Sequence, residues 1–224
     1  MSKLSSPTLD PQTELFNTLL ELHYSDDKTK IIKSIEQLAT KIPYLQGYPK
    51  NKTAFWNSES FMWGYKIDTE TRAVIKTYLD RTISKTTLPL DLGCGAHSYI
   101  PSLGFDISPK MLDLNDNAKE KIIGDVEQLL PFLTHSQKAI TAIFLLNYIH
   151  NIDQLLREIK RILGGDGVFI TIFSSSPVNP YYQKHQQQQK SADEWLTLLQ
   201  KYFKADVHKE EKIIIYTCSL KFNS

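Results

Sequence analysis

LPLDLGCG, residues 88–95, is an apolar run that stops at two closely spaced glycines, and the fold follows from what surrounds it. Gly93 and Gly95 let the backbone turn sharply and approach a ligand with no β-carbon in the way. Four more short apolar runs come after it: GFDIS (104–108), KIIG (121–124), AITAIFLL (139–146) and GVFITIF (167–173). Runs of this kind, closing on Gly, Asp, Ser or Asn, suit parallel strands buried on both faces. Helices separate several of them. The clearest covers residues 151–163, with Ile152, Leu155, Leu156, Ile159, Ile162 and Leu163 on one face, Asn151 or Asp153 as its cap and Gly164-Gly165 as its end. A later helix opens at Ser191-Ala-Asp-Glu194, a capping-box sequence, and carries Trp195, Leu198, Leu199, Tyr202 and Phe203. KADVHKE (204–210) and KIIIYTCSL (212–220) lie close enough to pair as an antiparallel hairpin. The expectation is an α/β fold: a doubly wound, seven-stranded, mainly parallel sheet.

Upstream of residue 88 the pattern is helical. Leu15, Phe16, Leu19 and Leu20 recur at helical spacing, as do Ile31, Ile35, Leu38 and Ile42. A third helix follows Asp68, with Val74, Ile75, Tyr78, Leu79 and Ile83 on one face. Between them runs an aromatic stretch holding Tyr48, Phe55, Trp56, Phe61, Trp63 and Tyr65. Residues 1–85 are therefore read as a helical cap or lid, and 86–224 as the α/β core.

Charge and cysteine content narrow the function. Lys and Arg number 26 against 25 for Asp and Glu, a net charge of +1, which lacks the basic footprint of a nucleic-acid partner. No apolar run approaches the roughly 20 residues a membrane span needs. The amino terminus also lacks the apolar core of a signal peptide. The two cysteines, Cys94 and Cys218, have neither a CxxC partner nor a histidine pair beside them, so neither a disulfide framework nor a metal site is expected. A cytoplasmic protein with a small-molecule substrate is the reading.

The strand ends carry the chemistry. Asp106 closes the second run, where a carboxylate accepts both hydroxyl hydrogens of a ribose. Asp125 follows the third, where a carboxylate accepts from an adenine amino group and Val126 offers apolar contact to the ring. Each Asp alone suits a turn; with the glycines, on three successive strand ends, they describe a nucleoside pocket. His97 and His150 lie just past strand ends, where a base works near neutral pH. A polar residue beside a helix start is the competing reading of His150. Cys94 is explained by its place in the glycine turn without reactivity.

DLGCG, FDISPKML, GDVEQLLPF, AIFLLNYIHNIDQLLREIKRIL and GGDGVFITIF resemble, in this order, the successive motifs of class I S-adenosylmethionine (SAM)-dependent methyltransferases, over residues 88–173. The resemblance implies SAM as cofactor. Its methionine end would lie along Asp91, Gly93, Cys94 and Gly95, its ribose at Asp106, and its adenine near Ile107, Asp125 and Val126. Asn147 and Tyr148 would face the reactive sulfonium. Two departures stand out. His97 occupies the place of a further glycine, and only residues 96–103, with Pro101 among them, separate Gly95 from Gly104. A crossover with its helix needs at least about 10–12 residues. The usual first helix is therefore expected to shrink to a loop, with the helix before Leu88 covering the sheet in its place.

An NAD-dependent dehydrogenase fits worse, because Ser98 holds the third small position and Asp106 comes too early. Two rivals to methyl transfer stand beside it: SAM chemistry that releases methylthioadenosine, by aminocarboxypropyl transfer or cyclisation, and a non-catalytic subunit that binds a protein partner. Trp56, Trp63 and Tyr65 are read as lid rings able to attract a sulfonium, and Tyr181 as a substrate contact. Asn179-Pro-Tyr-Tyr182 is read as a turn and the Gln186–Gln189 tract as solvated.

Overall fold

The computed structural model describes residues 10–25, 28–60, 62, 66–176 and 183–221. Residues 1–66 and 67–224 form two compact units. The first holds α1 (Pro11–Tyr24), α2 (Thr29–Ala39) and α3 (Lys52–Glu59). Asp10 caps α1 through the N–H groups of Gln12 and Thr13, and Asn51 caps α3 through that of Ala54. Leu15, Leu19 and Leu22 of α1 are buried, as are Ile35, Leu38 and Ala39 of α2, and the two helices pack together.

The second unit opens with α4 (Thr69–Thr82) and continues as β1 (Leu90–Leu92), β2 (Ser102–Asp106), α5 (Pro109–Leu114), β3 (Ala118–Ile123), β4 (Gln137–Ile143), α6 (Ile152–Ile162), β5 (Leu163–Ser174), α7 (Ala192–Tyr202), β6 (Lys204–Lys209) and β7 (Ile213–Ser219). The compact unit with the sheet, Ile67–Ser224, includes α4, which packs on the sheet. The seven strands run in the order β3-β2-β1-β4-β5-β7-β6, parallel except for β7, which is antiparallel to both β5 and β6. This is the mainly parallel sheet with a closing hairpin that the sequence leads one to expect.

Both faces are apolar, so neighbouring residues along the strands divide between two cores. One core joins Leu90, Leu92, Ile140, Ala142, Phe169 and Tyr216 to α6 and α7. Ile152, Leu155, Leu156, Ile159 and Ile162 of α6 are all buried there, at roughly 1.5–3 kcal/mol per large aliphatic side chain. Ser191 and Glu194 form the expected capping box on α7. The other core joins Ile143, Ile170, Ile172, Ile213 and Ile215 to Ile75, Leu79 and Ile83 of α4 and its C-cap and to Tyr99 and Ile100 in the loop after β1.

That loop contains no helix, and α4 lies on the face a first crossover helix would cover. A hydrogen bond between Tyr78 Oη and Thr217 Oγ1 (2.8 Å) ties α4 to β7, 139 positions along the chain. Gly164-Gly165 departs from its expected role. Leu163 is already the C-cap of α6, its N–H bonding to Ile159 O, and β5 begins there and runs through both glycines. The pairing with β4 is irregular at this point, Gln137 opposite Leu163 and Ala139 opposite Val168, so the glycines lie in a bulged strand start. Among the described residues, no helix is long and apolar enough to cross a membrane.

The cover by α4 is open to a direct test. Leu79 is 1% exposed and Leu133 80% exposed. Leu79→Ala is expected to lower the free energy of unfolding by about 2–5 kcal/mol, and Leu133→Ala by less than about 0.5 kcal/mol, both read from urea denaturation of the full chain.

Candidate cofactor and acceptor site at the carboxyl ends of the strands

The turn after β1 is built around two left-handed glycines, Gly93 at φ 59° and Gly95 at φ 58°. Gly93 is also crowded: a β-carbon there would lie 2.4 Å from Leu145 Cδ1. The amide of Gly95 donates to Asp106 Oδ2 (2.9 Å) and that of Ser108 to Asp106 Oδ1 (2.8 Å), so one carboxylate joins the glycine turn to the end of β2. The amide of Ile107 bonds to this carboxylate as well, and a carboxylate offers about four lone-pair sites, so acceptor capacity remains. Burial pushes the Asp106 carboxyl up to about 6, opposed by those N–H groups.

Asp91 lies inside the sheet. It accepts from Thr141 Oγ1 (2.7 Å) and from the Ser98 hydroxyl, and burial, with the Asp106 charge adding, raises its carboxyl to about 6. Its acceptors are directed at β4 and at the loop after Gly95. Cys94 is buried, and its Sγ would be 3.0 Å from a β-carbon at position 104, so the bare backbone of Gly104 makes room for it. Burial pushes the thiol far up, which suits packing rather than reactivity.

The loop that replaces the first helix depends on Asn115, a residue that sequence reading passes over. Its Oδ1 accepts from Ser98 N and Ala118 N (both 3.1 Å), and its Nδ2 donates to Gly95 O (2.9 Å) and Ser98 Oγ (3.0 Å). Asn117 Nδ2 adds a bond to Ser98 O (2.7 Å). His97 is half-buried, edge-on to Tyr99 at 5.1 Å between ring centroids, and its pKa is lowered by burial and by the nearby charge of Arg72. The imidazole therefore stays neutral around pH 7.

The other wall follows β4. Phe144 has φ 56°, uncommon for a bulky residue, and its N–H bonds to Ile172 O (2.8 Å). This bend swings the chain into a short 3₁₀ turn, Leu146–Tyr148. Within that turn Asn147 Oδ1 is buried and has no hydrogen-bond partner among the described residues. A buried acceptor left open is what a ligand-facing side chain leaves before its ligand arrives. Tyr148 is half-buried, whereas His150 is exposed and lines a groove of about 520 Å³ with Asp153, Lys190 and Asp193. Beyond β2 and β3, Ile107 is half-buried, Val126 is buried, and Asp125 Oδ1 accepts from Glu127 N (3.0 Å).

The structure thus gathers Gly93, Gly95, Ile107, Asp106, Asp125 and Asn147 at the carboxyl ends of four adjacent strands, where open α/β sheets hold ligands. The acceptors on Asp106 and Asn147 and the left-handed glycine turn fit a nucleoside-bearing cofactor. Trp63, Tyr65, Tyr181 and the Asn179–Tyr182 turn lie outside the described residues, and Trp56 belongs to α3 of the first unit. The glutamine tract is not simply solvated. Gln187 N and Gln188 N donate to Asn147 O (2.8 and 2.9 Å), and Gln188 Nε2 donates to Ile149 O (3.1 Å) and His150 O (3.2 Å). A polar composition reads as exposed, but here the amides are spent on main-chain carbonyls.

A family profile described as a methyltransferase domain matches residues 90–171. The uncharacterised protein MJ1252 of Methanocaldococcus jannaschii is 34% identical over 106 residues, and the match covers 44% of this chain and 41% of that relative's length. Solved structures with the same fold include a SAM-dependent methyltransferase of Thermotoga maritima, with TM-score 0.53 and 14% identity over 67% of this chain and 89% of that one. The [4+2]-cyclase SpnF is another, with TM-score 0.55 and 14% identity over 68% and 82%. Residues 90–171 thus match a methyltransferase-domain profile, and the chain has the fold of class I SAM-dependent methyltransferases, with S-adenosylmethionine the cofactor they imply.

Proposed function

We propose that the chain transfers the methyl group of SAM to a small-molecule acceptor. The observation that carries this reading is Asp106, a buried carboxylate at the end of β2, bonded to the glycine turn and with acceptor capacity to spare. In this reading Asp106 holds the ribose, Asp125 and Val126 the adenine, and the backbone of Gly93–Gly95 the methionine end. SAM supplies, when bound, an electrophilic methyl carbon that needs little acid-base help. The protein's part is to place the acceptor, to exclude water and to keep a base available. Asn147 offers its open amide oxygen to a hydrogen-bond donor, and Tyr148 borders the same turn. His97, kept neutral by burial, is a base able to take a proton from the acceptor; His150 is the more exposed second choice. Both cysteines are buried free thiols, which suits the reducing cytoplasm we propose for it.

A second reading, SAM chemistry other than methyl transfer, is favoured by the remodelled methionine end: no helix follows Gly95, and His97 stands where a glycine is usual. SpnF, named as a cyclase, carries the same fold on other chemistry.

Calorimetric titration with SAM and S-adenosylhomocysteine separates the outcomes. Wild type is expected to bind at about micromolar Kd. Asp106→Ala, which removes two charge-assisted hydrogen bonds of roughly 1.5–3 kcal/mol each, is expected to bind at least about a hundredfold more weakly. Turnover with an acceptor should release S-adenosylhomocysteine; release of methylthioadenosine would transfer support to the second reading, and no binding of either ligand would leave only the non-catalytic reading. Affinity should also depend on pH. The ionised carboxylate is the better acceptor for ribose hydroxyls, and Asp106 titrates at about 6. Binding should therefore be full above that pH and fall by up to about tenfold per unit below it, a dependence that Asp106→Asn should remove.

A further inference from the structure

The turn that follows β4 carries the residues set against the acceptor, and it is held from outside itself. Glu127, in the loop after β3, reaches across to the start of α6. Its Oε1 accepts the N–H of His150 (2.6 Å) and of Asn151 (3.0 Å). Amides at a helix start lack partners within the helix, and a negative charge there is favoured by the helix dipole. Asn151 already supplies the local cap, accepting from Gln154 N (3.2 Å). Glu127 is therefore a second cap, 23 positions away from His150 along the chain.

The main chain of Glu127 is pinned as well. Its N–H donates to Asp125 Oδ1 (3.0 Å), and its carbonyl accepts from Gln154 Nε2 (3.2 Å). The carboxylate proposed to meet adenine and the backbone of the acceptor-facing turn are thus linked through one residue. From the opposite side Gln187 and Gln188 hold the carbonyls of Asn147, Ile149 and His150. The turn 147–150 is clamped at the N–H of His150 by the loop after β3 and at the carbonyls of Asn147, Ile149 and His150 by the glutamine tract.

We infer that Glu127 is a positioning residue that couples the adenine end of the cofactor site to the turn 147–150, so that cofactor binding orders the acceptor site; this rests on the reading of Asp106, Asp125 and Asn147 given above. A ligand that fixes Asp125 favours the state in which Glu127 is also fixed. The gain is shared with the two amides that Glu127 holds. By linkage, ordering of the turn strengthens cofactor binding by the same factor. The acceptor then meets a turn already in place.

Amide hydrogen exchange on the full chain, with and without saturating S-adenosylhomocysteine, tests this without knowledge of the acceptor. In wild type, exchange across residues 147–155 should slow by about tenfold or more when the ligand is bound. Glu127→Ala should weaken ligand binding by about that same tenfold factor and lose that added protection. Glu127→Gln, whose amide oxygen still accepts the two N–H groups, should restore it. Full protection in Glu127→Ala, or no ligand-induced protection in a wild type that binds, overturns the coupling. An affinity loss as large as that of Asp106→Ala also overturns it, by making Glu127 a ligand contact. Should Glu127→Ala not fold, Glu127→Asp decides, because it keeps the charge and shortens the reach: lost protection upholds the coupling, and retained protection overturns it. Absence of binding by wild type overturns the cofactor reading itself, a result distinct from any that the Glu127 variants give.

Discussion

The distance along the chain from Gly95 to Gly104 governs the rest of the architecture. Two adjacent parallel strands must be joined by a crossover, and residues 96–103 are too few to include a helix. The sheet face beside β1 would be left bare, with Ile143, Ile170 and Ile172 facing water. Two elements resolve this. Helix α4 comes from upstream in the chain and lays Ile75, Leu79 and Ile83 on the face, while the short connection itself turns Tyr99 and Ile100 inward. The same shortage explains why so many side chains converge on the loop. Without a helix to satisfy its backbone, the segment relies on Asn115 and Asn117 for hydrogen bonds and on Ser98 as their meeting point.

The binding edge inherits this economy. Asp106 accepts from the glycine turn and from the start of the next loop, and so holds two strand ends in register while retaining capacity for a ligand. Asp91, one strand over, faces Ser98 and Thr141, so it sustains the loop from below. Two carboxylates on neighbouring strands thus have different tasks, and the difference lies in what each one faces. Leu145, pressed against Gly93, joins the two walls, and the left-handed Phe144 before it turns the chain so that Asn147 can project.

Much of this is legible in the residues alone. The five apolar runs, the capping box at Ser191 and the periodicity of α4, α6 and α7 express local rules, and each appears in the structure at or near its expected place. The short crossover was legible too, because it follows from counting residues. What local rules miss is the long-range use of polar side chains. Asn115 looks like a turn residue, Glu127 like a charge in a loop, and Gln187-Gln188 like solvated low complexity. Their partners lie 17–20, 23–24 and about 40 positions away, and composition carries no signal of that. Gly164-Gly165 misleads for a related reason: glycines that would end a helix also suit a bulged strand, and pairing with β4 decides between them.

The bond from Tyr78 to Thr217 carries a consequence for how the chain reaches this state. Helix α4 can form early, from local interactions, but the surface it covers exists only once β5 and β7 have paired. Docking it closes a loop of 139 positions, and long-range closures of this kind are what slow the folding of small domains. During synthesis α4 emerges from the ribosome well before β7 has been made. Its apolar stripe is left exposed throughout that interval, a window in which a chaperone, or another nascent chain, can reach it.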